Sequence, residues 1–379
     1  MTQPLGDVRI VDFSRVVSGP LATMLLADLG ASVTKVERPG TGDDTRSFPP
    51  YDERGQSTYF QAINRNKDSV SLDLGSADGV RAALELIDGA DVVVENFRTG
   101  VMARFGLDYP TLAASRPGLI YCSVTGFGSG AGAQLAGYDL LVQALGGLMS
   151  ITGEPQGKPQ IVGAALIDVI TGLFATVGVL AALRHRNATG EGQHVEVNLM
   201  SALLAALGND ASEYTLAGIV AHRTGSDHPS VAPYGLFAAA DADLVLAVGN
   251  DRQFRELAEV LGAPALAEDP RFSTNAERVA NLPILRSELE HILRIHPVAH
   301  WSDKLMTAGV PAGRVNNIAQ AFQLAETLGL EPTVAVPRAD GSIARLVRNP
   351  IRLSRTPVTY RSAPPALAAH ALSPRKRAS

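Results

Sequence analysis

Along the first third of the chain, short apolar runs alternate with stretches of helical composition. Val8, Ile10, Val11 and Phe13 predict a strand over 8–13. Pro20 suits a first helical position, 21–29 is helical in composition, and 32–37 returns to a strand. This is a strand–helix–strand unit of about 30 residues, the seed of a parallel sheet. Further strands are predicted over 69–74, 91–95 and 119–124, with helices over 79–87 and 110–114. The alternation favours a doubly wound α/β domain, whose ligands sit at the carboxyl ends of the strands.

The middle reads as a long helix over 163–186, a strand over 194–198 and a helix over 202–216, with a glycine-containing turn at 187–193. From about Thr224 the texture changes to Pro- and Ala-rich loops, a strand over 244–248 and amphipathic helices over 253–261, 283–294 and 299–308. A smaller second domain is placed here, up to about Asn317. Strands over 333–336 and 343–347, joined through Ala339-Asp340-Gly341, read as a hairpin. The tail 366–379 is Ala-, Ser- and Pro-containing, ends in Arg375, Lys376 and Arg377, and is expected to be poorly ordered.

Composition narrows the function classes. The 379 residues carry a net charge of −5 with no clustered basic face, which argues against nucleic acid as a partner. Cys122 is the single cysteine, so neither an intrachain disulfide nor a cysteine metal cluster can form. The eight histidines are dispersed and no metal motif is present. With Asp7 and Arg9 already inside the first ten residues, no secretory signal is expected, and a cytoplasmic location follows. The run 161–183 is long and apolar enough to span a bilayer, with Asp168 its one ionisable residue. Arg184, His185 and Arg186 flank it at one end only, so a buried core helix carrying a purposeful carboxylate is preferred to a membrane span.

Asp168 is the first candidate for chemistry. An aspartate in an apolar run is costly unless paired, capping or reactive. It can start the helix as its N-cap, or act as a carboxylate nucleophile, and the two readings are compatible. The loop 14–19 follows the first strand but supplies only Gly19 of the three glycines that a dinucleotide fingerprint requires. Glu37 mimics a ribose-binding acid, while Arg38 beside it equally suits a phosphate. Arg38, Arg46, Lys67, Asn96, Arg98 and Arg104 fall near or after strand segments, a placement suited to a polyphosphate ligand. Gly249-Asn250 is either an ordinary turn or a small loop that shields a reactive intermediate.

Several segments, in order and at family spacing, carry a resemblance. They are Asp12-Phe13-Ser14-Arg15-Val16-Val17-Ser18-Gly19-Pro20, Val36-Glu37-Arg38-Pro39-Gly40 with Gly42-Asp43-Asp44-Thr45-Arg46, Asn64-Arg65-Asn66-Lys67, Val94-Glu95-Asn96-Phe97 and Gly137-Tyr138-Asp139. Together they resemble the family III CoA-transferases, the group of formyl-CoA transferase and carnitine CoA-transferase. The resemblance implies an α/β fold: a Rossmann-like large CoA-binding domain over 1–215 and 318–365, a smaller α+β domain over 216–317, and an interlocked, ring-like homodimer. It implies Asp168 as the nucleophile. Val16, Arg38, Leu72, Asn96, Phe97 and Arg104 would hold coenzyme A, which enters as a thioester substrate and not as a permanently bound cofactor. Val17 stands where some members carry Gln.

The acyl partners follow from the same resemblance. Segments 15–20, 228–234 and 309–313 resemble the branch that uses succinyl-CoA with a dicarboxylic acceptor such as glutarate, hydroxymethylglutarate or itaconate. Arg15 or Arg46 would hold the distal carboxylate, Tyr138 would line the acyl site, and backbone N–H groups near Gly249 would stabilise the oxyanions. Two alternatives stand beside transfer. An α-methylacyl-CoA racemase shares the fold but needs a His where this chain has Tyr138, and a nicotinamide-dependent oxidoreductase shares the sheet pattern.

Overall fold

In the computed structural model, which describes residues 3–371, the first third builds one six-stranded sheet. Its elements are β1 (Arg9–Asp12), α1 (Ser18–Asp28), β2 (Ser32–Glu37), β3 (Lys67–Ser71), α2 (Ala77–Asp88), β4 (Val92–Glu95), β5 (Ile120–Thr125), α3 (Asp139–Leu145), α4 (Leu166–Thr189) and β6 (His194–Asn198). The strand order is β3-β2-β1-β4-β5-β6, and every pairing is parallel. Order reverses between β1 and β4, where a doubly wound sheet opens a crevice at its carboxyl edge. Val92, Val93 and Val94 are fully buried in succession, as expected of a strand covered on both faces.

The chain divides into two units. The first comprises the described residues up to Leu148, Ile161–Val220, and those from Glu331 onward; the second comprises Met149–Gln160 and Ala221–Leu330. In the first unit α4 contributes Ile167, Ala175, Val179, Ala182 and Leu183 to the same core as Ile10, Leu26 and Val94. Among the described residues α4 is the one helix long and apolar enough to cross a membrane. Here its inner side packs on protein, while Leu173, Phe174 and Val177 stay exposed on the outer side. After β6 come α5 (Leu199–Ala206) and α6 (Asn209–Ala217), where the pattern predicted one helix. Gly208 breaks it with a φ of 56°.

The second unit folds β7 (Tyr234–Ala238), β8 (Asp243–Ala247) and β9 (Ala312–Arg314) into an antiparallel sheet in that order. Helices α7 (Asp251–Val260), α8 (Leu282–Leu293) and α9 (Val298–Thr307) accompany it, and Phe237, Leu246, Leu257, Leu289 and Trp301 share one core. Strands β7 and β9 escape prediction because each is short and interrupted by glycine, Gly235 and Gly313.

Hairpin strands β10 (Thr333–Pro337) and β11 (Ile343–Val347) pair antiparallel as expected. The segment that follows, in the same unit, folds back on α1 and β3. The Asp28 carboxylate at the end of α1 accepts from Arg65 Nε at 2.9 Å, Asn66 Nδ2 at 2.8 Å and Asn349 Nδ2 at 2.9 Å. Residues 366–371, assigned above to the poorly ordered tail, run beside β3, where the N–H of Ala368 donates to Ser69 Oγ and that of His370 to the Ser69 carbonyl. The basic run at 375–377 lies outside the described residues.

Candidate active site

The loop between β1 and α1 is anchored from below by buried charge. Fully buried Lys67 donates to Asp12 Oδ2 at 3.1 Å, to the Pro20 carbonyl at 2.8 Å and to Asn64 Oδ1 at 2.9 Å. Lys35, equally buried, donates to the Ser14 carbonyl at 2.7 Å and pairs with Asp43 at 2.8 Å. Burial alone would raise the Asp12 carboxyl, but Lys67, Lys35, Ser14 and Thr23 hold it at about 2. Burial lowers Lys67 to about 8 against the pull of Asp12. The lysines therefore fix where residues 14–20 run. The strand prediction for β3 begins two residues late because Lys67 reads as a polar loop position, whereas its charge is neutralised inside.

Above this network the chain bends through Val16, whose φ of 68° is a rare, strained conformation for a β-branched residue. The Val16 N–H reaches Asp43 Oδ1 at 3.3 Å. Next to it the loops after β1 and β4 are stitched reciprocally. The Arg15 N–H donates to Asn96 Oδ1 at 2.8 Å, and Asn96 Nδ2 donates to the Arg15 carbonyl at 2.7 Å. This stitch sits at the switch point of the sheet. The Arg15 guanidinium pairs with Asp44 at 3.0 Å and lies 5.3 Å from the centre of the Phe97 ring.

Two clefts adjoin there, and Arg15 and Phe97 line both. Arg38 and Leu72 line one, beside Val101 and Phe105. Arg104 itself is exposed on the short helix Val101–Arg104, between those two residues in sequence. Val16, Ser18, Asn96, Tyr138 and Asp168 line the other. The geometry thus brings Arg15, Val16, Asn96, Phe97, Tyr138 and Asp168 to one cleft, although they are spread over more than 150 positions of the sequence.

Asp168 is the third residue of α4, and the N-cap position belongs to Ala165. The N-cap reading of Asp168 is therefore corrected: the cap position lies three residues earlier, at Ala165, and the capping side chain comes from elsewhere. Asp139 Oδ2 accepts the N–H groups of Ile167 at 2.8 Å and Asp168 at 3.1 Å. The side chain of Asp168 turns to Ser18, whose Oγ donates to its Oδ1. Gly172, one turn further along α4, permits that approach, since a Cβ there would stand 2.7 Å from the Ser18 carbonyl oxygen. Burial pushes the Asp168 carboxyl up to about 6, with the Asp139 charge adding to the rise and the Ser18 hydrogen bond opposing it.

Two expected substrate contacts already have partners within the chain. Arg46 is held by Glu37 through two bonds, Nε to Oε2 at 2.8 Å and Nη2 to Oε1 at 2.7 Å, over the Phe60 ring. Its fork is occupied, and so is Glu37, which also accepts from Ser69 Oγ and the Asp43 N–H. Glu37 is a structural acid here and not a free ribose acceptor. Gly249 belongs to the second unit, and its N–H already donates to Gln253 Oε1 at 2.9 Å at the start of α7. Sequence reasoning missed Ser18 and the capping role of Asp139. Both lie inside the quoted motifs, but no spacing rule connects either with Asp168.

Comparisons with known proteins agree with one another. The profile of CoA-transferase family III matches residues 5–371. Succinate–glutarate CoA-transferase of Agrobacterium fabrum is 40% identical, covering 97% of this chain and 94% of its own. Mouse succinyl-CoA:glutarate CoA-transferase is 40% identical over 97% of this chain and 85% of its own. A crystal structure of a CaiB/BaiF family protein from Brucella suis superposes with a TM-score of 0.87 at 39% identity, covering 98% of each chain. Neither isomerisation nor hydride transfer is the reaction these relatives are named for. With the motifs, the sheet order and these likenesses in register from end to end, the chain belongs to CoA-transferase family III and is a CoA-transferase.

Proposed function

We propose that this enzyme moves CoA from succinyl-CoA to a dicarboxylic acid of the glutarate, hydroxymethylglutarate or itaconate class, with Asp168 as the nucleophile. The observation that carries the reading is the position of Asp168: a half-buried carboxylate, partnered among the described residues only by a serine hydroxyl, on the wall of a cleft that adjoins the Arg38–Leu72 cleft. Relatives named for succinyl-CoA with glutarate or mesaconate support the donor and the acceptor class.

The chemistry follows from two acyl exchanges. Asp168 attacks the thioester carbonyl and expels CoA thiolate, leaving a mixed anhydride between its own carboxyl and the succinyl group. The thiolate then attacks the aspartyl carbonyl, releases succinate and forms an aspartyl-CoA thioester. The acceptor carboxylate displaces CoA thiolate from that thioester to give a second anhydride. Attack of the thiolate on the acceptor's carbonyl yields the new CoA ester and frees the aspartate. No thioester energy is lost to water.

Arg38, Leu72 and Phe97 would take the nucleotide and pantetheine, with Val16 and Asn96 shaping the passage to Asp168 and Arg104 near the rim. Arg15, at the junction of the two clefts, is assigned the distal carboxylate, exchanging its Asp44 partner for substrate. The large Rossmann-like, CoA-binding domain is assigned to the first unit, and the smaller domain to the second. A second copy of the chain is assigned to the exposed outer side of α4, at Leu173, Phe174 and Val177, in an interlocked homodimer. Hydroxylamine added during turnover with succinyl-CoA should leave a hydroxamate on Asp168, read by peptide mass spectrometry. Modification elsewhere, or none while activity proceeds, would remove the mechanism. Light scattering that returns the mass of one chain would remove the dimer.

A further inference from the structure

The first turn of α4 lacks a capping side chain of its own, because its N-cap is Ala165. The cap is delivered by a carboxylate from another helix: Asp139 Oδ2 receives the N–H groups of Ile167 and of Asp168 itself. The other oxygen, Oδ1, accepts from Nε2 of Gln143, a residue 2% exposed, whose Oε1 in turn accepts from the Val162 N–H at 3.0 Å. Asp139 and Gln143 therefore clamp both the approach to α4 and its first turn. A helix start ordinarily presents partial positive charge, which favours an ionised carboxylate in the first turn. Here a full negative charge is bonded to those same N–H groups.

The groups facing Asp168 define what that charge does. Ser18 on α1 donates to it, Tyr59 on the short helix Thr58–Ala62 has its hydroxyl raised by burial and then by Asp168 and Asp139, and Arg15 lines the same cleft but pairs with Asp44. Among the described residues Asp139 is the one acid bonded to the backbone of the nucleophile, and it does not line the cleft. We propose that Asp139 is a positioning residue of the transfer reaction: it fixes the first turn of α4 so that Asp168 faces the cleft, and it sets a carboxylate directly behind the nucleophile's backbone. The proposal rests on the reading of Asp168 as nucleophile. A more basic carboxylate attacks a thioester faster, and one that titrates near 6 is still ionised at neutral pH.

The test compares Asp139→Asn, Asp139→Ala and Gln143→Met in the full-length enzyme. The amide oxygen of Asp139→Asn accepts the same N–H groups without the charge, while its Nδ2 cannot accept from Gln143. It should lower kcat about tenfold and move the acid limb of kcat/KM to lower pH, with KM values unchanged within about twofold. Asp139→Ala should cost about a hundredfold in kcat, and the Asn variant should recover part of that loss. Gln143→Met should lower kcat by about threefold at unchanged KM; should both Asp139 variants fail to fold, this variant decides, and parental kcat in it overturns the proposal. Hydroxylamine trapping separates two failures. No adduct on Asp168 in the parent overturns the nucleophile and this inference with it. An adduct that forms in the Asp139 variants at the parental rate and pH midpoint overturns the role of Asp139 alone.

Discussion

Asp12 and Asp168 are both acids taken out of water within one unit, and they shift in opposite directions. Asp12 sits at 0% exposure yet is held at about 2, while Asp168, less buried, rises to about 6. Burial pushes both upward, so the partners decide. Asp12 has Lys67 and Lys35 and accepts from Ser14 and Thr23. Asp168 has one serine hydroxyl, and a second carboxylate beyond its own backbone. The compensated acid holds a loop in place. The uncompensated one retains the basicity that nucleophilic attack on a thioester requires.

Four outcomes would break or sharpen that contrast. Asp168→Asn removes the attacking oxygen and should lower acyl transfer by at least about ten-thousandfold while the protein stays folded, checked by chromatographic assay of the new CoA ester and by circular dichroism. Lys67→Met leaves Asp12 buried beside Lys35 alone and should destabilise the fold by about 3–5 kcal/mol in urea titration, because one partner of a buried pair is lost. A midpoint within error of the parent would mean the Asp12 network contributes little.

Arg15→Ala should raise KM for dicarboxylic acceptors about 10- to 100-fold and for monocarboxylic acceptors far less; equal effects on both would reassign the guanidinium to CoA or to Asp44 alone. The smallest effect concerns stability. Asp168 titrates near 6 in the folded chain against an ordinary value of 3.8, so the folded state carries a penalty for its charge above pH 6 and none below 3.8. Asp168→Asn should therefore stabilise the protein by about 1–2 kcal/mol at pH 8 and leave it unchanged at pH 3.5. Asp12 works in the opposite sense: its contribution is complete above 3.8 and is lost as pH falls toward 2. An Asn variant no more stable than the parent at pH 8 would show that the nucleophile is better solvated than its position implies.

Much of the sheet was legible because parallel strands buried on both faces are written as apolar runs, and β2 and β6 fall on the predicted residues. Elements fixed by non-local polar contacts were less legible. The start of β3 is buried because Asp12, the Pro20 carbonyl and Asn64 together receive Lys67, and α3 was not predicted although it carries Asp139. Arg46 and Glu37 looked like ligand contacts one by one and turn out to satisfy each other.

By itself, the sequence determined the α/β alternation, the apolar helix with one acid in it, and the family motifs, because these are properties of neighbouring residues and of their order. Only the tertiary structure decided which polar groups meet: Ser18 with Asp168, Asp139 with the first turn of α4, and Asn96 with the Arg15 backbone. Those pairings join residues 28 to 150 positions apart. Hydrogen-bond and charge partners are set by distances of about 3 Å in space. Periodicity along a chain carries no record of such distances.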